Sequence, residues 1–173
     1  MNRRARTEPL AEPIHDPDAA REAALKLLER TRRTRVDLER KLADKGFAPA
    51  AVADALERLA RVGLVDDAEF ARAFLAGRWG RKPSGWRSLQ MQLRSKGVSE
   101  ADTLAGRARI EERDGVVDEF ATARKLVEQA SRRYASLEPR VRQQRLYALL
   151  ARRGFDGDVI RRALAMREID AGE

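Results

Sequence analysis

The densest concentration of binding chemistry in the chain lies between Gly77 and Gly97. This stretch holds Arg78, Arg81, Lys82, Arg87, Arg94 and Lys96 and no acidic residue, with Trp79 and Trp86 set among the cations. Arginine and tryptophan are favoured anchors of protein interfaces. The same residue types grip phosphates and stack on exposed bases. The stretch therefore suits an acidic protein surface or a nucleic-acid strand. The competing structural reading puts both tryptophans in a junction between helices and leaves the arginines solvated. Smaller basic clusters flank it: Arg30, Arg32, Arg33 and Arg35, then Arg132 and Arg133, then Arg152, Arg153, Arg161 and Arg162.

Reaction chemistry is much harder to assemble. Gly80 and Gly85 have the spacing of a phosphate-binding loop, but Trp86-Arg87 follows where Lys and then Ser or Thr are needed, and no strand precedes them. Asp66 and Asp67 are possible metal ligands only in isolation, and helix capping explains Asp66 more cheaply. Glu111, Glu112 and Asp114 read as a solvated face, with no nucleophile or histidine to pair with them. The single histidine, His15, lies in a polar stretch and reads as incidental. There are no cysteines, which excludes disulfides and thiol chemistry. The expectation is a protein that is not an enzyme, with no cofactor and no metal.

Composition sets the frame for these residues. The 173 residues carry a formal net charge of +8, with 37% charged and only 5% aromatic residues. That balance favours an anionic partner, whether nucleic acid or an acidic protein. Abundant Ala, Arg, Glu and Leu favour helices. No apolar run approaches the ~20 residues that span a bilayer. The N-terminal MNRRARTEPLAEP lacks the apolar core of a secretory signal. A cytoplasmic monomer is expected.

The spacing of apolar residues and breakers predicts the helices that position these groups. Residues 1–15 read as a disordered tail. Asp16-Pro17 then starts a helix carrying Ala20, Ala23, Ala24, Leu27 and Leu28 and ending near Arg30. Thr34 and Asp37 resemble a capping box before Leu38 and Leu42, and Gly46 closes that helix. Pro49 opens a third, with Val52, Leu56 and Leu59 on one face and Gly63 after it. Asp66 and Glu69 predict the next start, with Phe70, Ala73 and Phe74 buried. Pro83-Ser84-Gly85 separates that helix from one bearing Leu89 and Leu93. Ser99 and Asp102 cap the following helix, whose stripe is poor. Thr103 and Arg107 stand where Val52 and Leu56 stand earlier, so a rotated helix burying Leu104, Ala108 and Ile110 is expected. A last group starts at Val116 and carries Phe120, Ala123 and Val127, then Leu146 and Leu150, then Val159, Ile160 and Leu164.

A repeat runs through this pattern. Leu38, Leu42, Gly46 and Phe47 correspond to Leu89, Leu93, Gly97 and Val98, 51 residues on, and to Leu146, Leu150, Gly154 and Phe155, a further 57 residues on. A cation precedes each glycine: Lys45, Lys96 and Arg153. Stacked in register, these three would form a row of cations on one face, although helix C-termini favour cations in any case. Gly63-Leu64-Val65-Asp66-Asp67 is echoed by Gly115-Val116-Val117-Asp118-Glu119. The expected fold is all-α, an elongated array of tandem three-helix repeats with about nine helices. The boundaries are a tail over 1–15, repeats over 16–63, 64–114 and 115–168, and a frayed end over 169–173.

With these residues in view, the sequence resembles the RecX family of bacterial regulatory proteins. The resemblance rests on Gly63-Leu64-Val65-Asp66-Asp67, Phe70-Ala71, Arg78, Gly85, Leu89, Leu93 and Lys96-Gly97-Val98, with Arg153-Gly154-Phe155, Ile160 and Leu164 near the end. It covers about residues 17–167. It implies tandem three-helix repeats and a non-enzymatic role: binding the RecA recombinase filament on DNA. The resemblance further implies that, bound there, such a protein hinders ATP hydrolysis, strand exchange and the coprotease activity of the SOS response. The residues expected to carry contact are Lys45, Arg78, Trp79, Arg81, Lys82, Trp86, Arg87, Arg94, Lys96 and Arg153. Single- or double-stranded DNA is a further candidate partner. The alternative is a helix-turn-helix-like protein that acts on DNA directly.

Overall fold

The computed structural model describes residues 12–81, 83–115 and 118–170, without the side chains of residues 79–81, 114 and 166–170. Nine helices follow in order among the described residues: α1 (Pro17–Arg30), α2 (Arg35–Ala43), α3 (Pro49–Arg61), α4 (Asp67–Arg81), α5 (Trp86–Ser95), α6 (Glu100–Asp114), α7 (Glu119–Arg133), α8 (Pro139–Arg152) and α9 (Gly157–Asp170). The fold is all-α. Two compact units divide the chain, Met1–Asp66 and Asp67–Glu173. The first contains α1 to α3 and the second contains α4 to α9.

The helix starts follow local chemistry. Asp16 Oδ1 accepts from the N–H groups of Asp18 and Ala19 at 2.8 and 3.1 Å. Thr34 Oγ1 accepts from Asp37 N–H at 3.2 Å, and Ser99 Oγ from Asp102 N–H at 3.0 Å. Each cap satisfies a donor that the first helical turn leaves free. The expected repeat is expressed atom by atom where the second helix of each group ends. Gly46, Gly97 and Gly154 have φ of 87°, 82° and 78°, the left-handed region that glycine enters without a Cβ penalty. The next residue then turns back: Phe47, Val98 and Phe155 donate to the carbonyls of Leu42, Leu93 and Leu150 at 3.2, 3.1 and 3.2 Å. The six leucines of this ladder, Leu38, Leu42, Leu89, Leu93, Leu146 and Leu150, are all fully buried.

Each helix trio has its own core. Leu38, Leu42, Val52, Leu56 and Leu59 centre the first. Ala71, Leu75, Leu89, Leu93, Val98 and Ile110 centre the second. Val127, Leu146, Leu150, Phe155 and Ile160 centre the third.

Besides the inner face of α4, where Ala68, Ala71 and Leu75 are buried and the expected Phe70, Ala73 and Phe74 only partly so, three expectations change. The helix α6 is not rotated: Leu104 is 49% exposed and Ala108 is exposed, while Thr103 is buried. Thr103 tolerates burial because its hydroxyl donates to Ser99 O at 2.8 Å, so the polar group is paired within its own helix. Space, not side-chain hydrophobicity, sets the orientation. A Cβ on Gly106 would lie 2.6 Å from Ala71 Cβ and 2.7 Å from Ala68 O, so α6 approaches the backbone of α4 directly. Second, the chain before Asp16 is ordered at its end. Ile14 pairs with Phe47 in a parallel bridge, its N–H donating to Gly46 O and its carbonyl accepting from Ala48 N–H, both at 2.8 Å. Residues 1–11 of the expected tail lie outside the described residues. Third, α9 continues through Asp170, and only residues 171–173 of the expected frayed end fall outside. Val116, the expected start of the last group, also lies outside; α7 begins at Glu119, where Asp118 Oδ1 accepts from Ala121 N–H at 3.0 Å.

Candidate partner-binding surface

The helix α5 divides its residues cleanly. Leu89 and Leu93 are buried in the core, and Ser88, with the N-cap Gly85, lies against Gly154 just beyond α8. The remaining stripe, Arg87, Gln90, Met91 and Arg94, recurs at i, i+3, i+4 and i+7 and so shares one face. Arg87 and Arg94 are exposed and form no ion pair among the described residues. Met91 is 66% exposed between them. This is a basic stripe with an apolar centre, and Arg and Met are residue types enriched at protein interfaces.

The other cations singled out in the sequence are engaged differently. The Arg78 guanidinium lies over the Phe74 ring at 5.2 Å, and the Lys96 ammonium approaches the same ring at 6.0 Å. One aromatic ring thus gathers two positive charges from α4 and from the end of α5. Trp86 is half-buried against the α4–α6 core. Its outer face is covered by the Arg107 guanidinium at 4.7 Å, which is fixed in turn by a 2.7 Å bond from Nε to Glu111 Oε1. Trp86 is thus a packing residue first. Trp79 and Arg81, as side chains, and Lys82 lie outside the described residues. Lys45 is exposed and borders a groove of about 570 Å³ with Lys26 and Arg30.

Arg153 occupies a joint inside the second compact unit. Its Nη1 donates to Pro83 O at 3.0 Å, and its own carbonyl accepts from Gly85 N–H at 2.9 Å. A Cβ on Gly85 would meet Gly154 O at 2.2 Å, and one on Gly154 would meet Ser88 Cβ at 2.4 Å. Two glycines therefore let two backbones touch. From the other side, Glu119 Oε1 accepts from Trp86 N–H at 2.9 Å and caps α5. Lys45, Lys96 and Arg153 thus share a position in the repeat and differ in what they touch.

Sequence reasoning missed the joint residues Ser88 and Glu119 and the packing roles of Thr103, Gly106 and Arg107. One signal was present. Gly106 lies inside a helix, where glycine costs about 1 kcal/mol relative to alanine, and such a glycine often marks a close approach.

Three-helix arrangement and repeat spacing coincide with known proteins. The first, second and third three-helix domains of RecX match residues 20–59, 66–103 and 117–164. A regulatory protein RecX of Chlorobium phaeobacteroides is 32% identical over 151 residues, covering 86% of this chain and 93% of its own. The chain belongs to the RecX family. A regulatory protein RecX of Halorhodospira halophila is 38% identical over 157 residues, covering 88% of this chain and 91% of its own. The crystal structure of RecX from Lactobacillus salivarius has the same fold, with a TM-score of 0.78 at 20% identity over 90% of this chain and 97% of that one. The relatives from Chlorobium and Halorhodospira are named regulatory proteins. No described helix is long and apolar enough to cross a membrane.

Proposed function

We propose that this chain is a non-enzymatic modulator, chiefly an inhibitor, of the RecA recombinase, acting in the cytoplasm as a monomer during recombination, DNA repair and the SOS response. It binds the RecA–DNA filament and hinders ATP hydrolysis, strand exchange and coprotease activity. Membership of the RecX family, over 86% of the chain, carries this reading. The physical supports are independent of the family. A chain of net charge +8 is drawn to a filament that combines acidic protein with phosphate. Repeated modules also allow several weak contacts to act together through effective concentration. The exposed stripe of Arg87, Gln90, Met91 and Arg94 supplies one such contact.

The test is DNA-dependent ATP hydrolysis by RecA with sub-stoichiometric amounts of this protein. A dose-dependent fall in hydrolysis is expected, with a parallel fall in strand exchange and repressor cleavage. Unchanged rates in all three assays would remove the reading. Tight, sequence-selective binding to bare duplex, strongly weakened by salt, would instead favour direct action on DNA.

A further inference from the structure

The glycine turn that ends the second helix recurs three times, and two of its copies already hold an extended piece of chain. At Gly46 the guest is Ile14, held between Gly46 O and Ala48 N–H by two backbone hydrogen bonds. At Gly154 the guest is the Pro83–Gly85 segment, which gives one backbone bond to Arg153 O and receives one from the Arg153 side chain. The middle copy, Gly97-Val98-Ser99, has the same turn. Here Gly97 has φ of 82°, Val98 N–H returns to Leu93 O, and Ser99 is extended at φ −68° and ψ 160°. By repeat position Gly97 O and Ser99 N–H correspond to Gly46 O and Ala48 N–H. Neither has a partner among the described residues.

The unfilled turn opens onto a groove of about 510 Å³ between α5 and α6. Arg87, Gln90, Met91 and Arg94 line one wall, and Glu100 and Thr103 line the other beside Val98 and Ser99. Two cations against one carboxylate leave the groove electropositive. Met91 gives it an apolar patch. A donor and an acceptor two residues apart across one glycine turn match a peptide strand, one residue of which offers both an N–H and a carbonyl, as Ile14 does at Gly46 and Ala48. A nucleic-acid backbone offers phosphate acceptors and has no amide to give Gly97 O.

We infer that the Gly97–Ser99 turn and the α5–α6 groove form a docking site for an extended acidic segment of a protein partner. The segment pairs with Gly97 O and Ser99 N–H as Ile14 does in the first repeat. Its acidic side chains meet Arg87 and Arg94, and an apolar side chain rests on Met91. This rests on the reading of the chain as a filament regulator, and it assigns the contact to protein rather than to DNA.

The test compares Ser99→Pro with Ser99→Ala. Both remove the serine cap, and the proline, whose φ suits this position, also removes the N–H. Binding to RecA filaments on single-stranded DNA is measured by anisotropy, with helicity checked by circular dichroism. Ser99→Pro should bind about tenfold more weakly than Ser99→Ala, the effect of losing one well-formed hydrogen bond. The double variant Arg87→Glu/Arg94→Glu should lose a similar factor, and the Ser99 amide should exchange more slowly in the filament complex. Should Ser99→Pro fail to fold, the charge variant and the amide exchange decide. Wild-type binding with equal affinities for the two serine variants, or with unchanged charge-variant affinity and amide exchange, would overturn the docking site and leave the regulator reading intact. Absence of wild-type filament binding would defeat the regulator reading. The groove is then judged with a short peptide alternating aspartate and valine, and an unmoved Ser99 amide resonance would overturn it as well. A Ser99 resonance shifted by bare single-stranded DNA, with DNA affinity lowered by the proline, would make it a nucleic-acid site and overturn the proposal.

Discussion

The helices α3 and α6 occupy the same place in successive repeats and pack by different means. In α3 the inward positions are Val52, Ala55, Leu56 and Leu59, all buried. In α6 they are Thr103, Gly106, Arg107 and Ile110. The first helix holds its place by filling volume with hydrocarbon. The second has lost that volume and compensates by moving its backbone against α4. A helix position can therefore be kept through repeats while the interaction that keeps it changes. The periodic stripe, the usual sign of a buried face, is then absent although the face is buried.

The largest expected effect lies on the hydrocarbon side of this comparison. Leu56→Ala should destabilise the first compact unit by about 2–5 kcal/mol, since a fully buried leucine leaves a cavity. Denaturant unfolding followed by circular dichroism measures it, and a cost below 1 kcal/mol would mean that α3 packs as loosely as its counterpart. Gly106→Ala tests the close approach. In most helices this change is favourable, but here the new methyl meets Ala71 and the Ala68 carbonyl. A loss of about 1–3 kcal/mol is expected from overpacking. A gain in stability would show that α6 has room to retreat.

Arg107→Ala should cost less, about 0.5–1 kcal/mol, through the lost guanidinium–indole contact and the packing of the arginine stem. Arg107→Leu, which restores the residue type of the first repeat, should recover most of that loss in the same unfolding assay. A leucine variant as unstable as the alanine variant would make the cation, rather than cover over Trp86, the important part.

The smallest effect concerns Asp37, whose counterpart in the second repeat is Ser88 of the glycine joint. Burial pushes the Asp37 carboxyl upward, but hydrogen bonds from Arg33 and Arg40 and the nearby charge of Lys41 outweigh it and hold it below its ordinary value. Both arginines bond it at 2.7 Å. A lowered folded value means stability present above the unfolded value of 3.8 and lost as pH falls through the folded one. Asp37→Asn should therefore cost about 0.5–1 kcal/mol at neutral pH, typical of a largely surface pair. The wild-type advantage should shrink progressively as pH is taken below about 4. An advantage that persisted undiminished at acid pH would point to a role other than the charge.

The legible parts of this molecule were local ones. Leucines four residues apart, then a glycine four residues on, specify a helix face and its termination within one short stretch of chain. Thr34, Ser99 and Asp16 likewise cap helices that begin beside them. The illegible parts join residues far apart in sequence. Glu119 caps α5 from 33 residues away, and Arg153 reaches Pro83 across 70. The basic segment was visible as composition. The engagement of Arg78, Lys96 and Arg153 and the exposure of Arg87 and Arg94 depended on which face of each helix turned inward.

By itself, the sequence determined nine helices among the described residues, their grouping in threes, the glycine turns and the positive charge. These follow from torsional preference, capping and hydrophobic spacing, which act over a few residues. The tertiary structure alone decided that Thr103 is inside and Leu104 outside, that Trp86 packs under Arg107, and that Gly85 and Gly154 let two backbones meet. Those outcomes depend on the space left between elements once they have packed, and no local preference records that space.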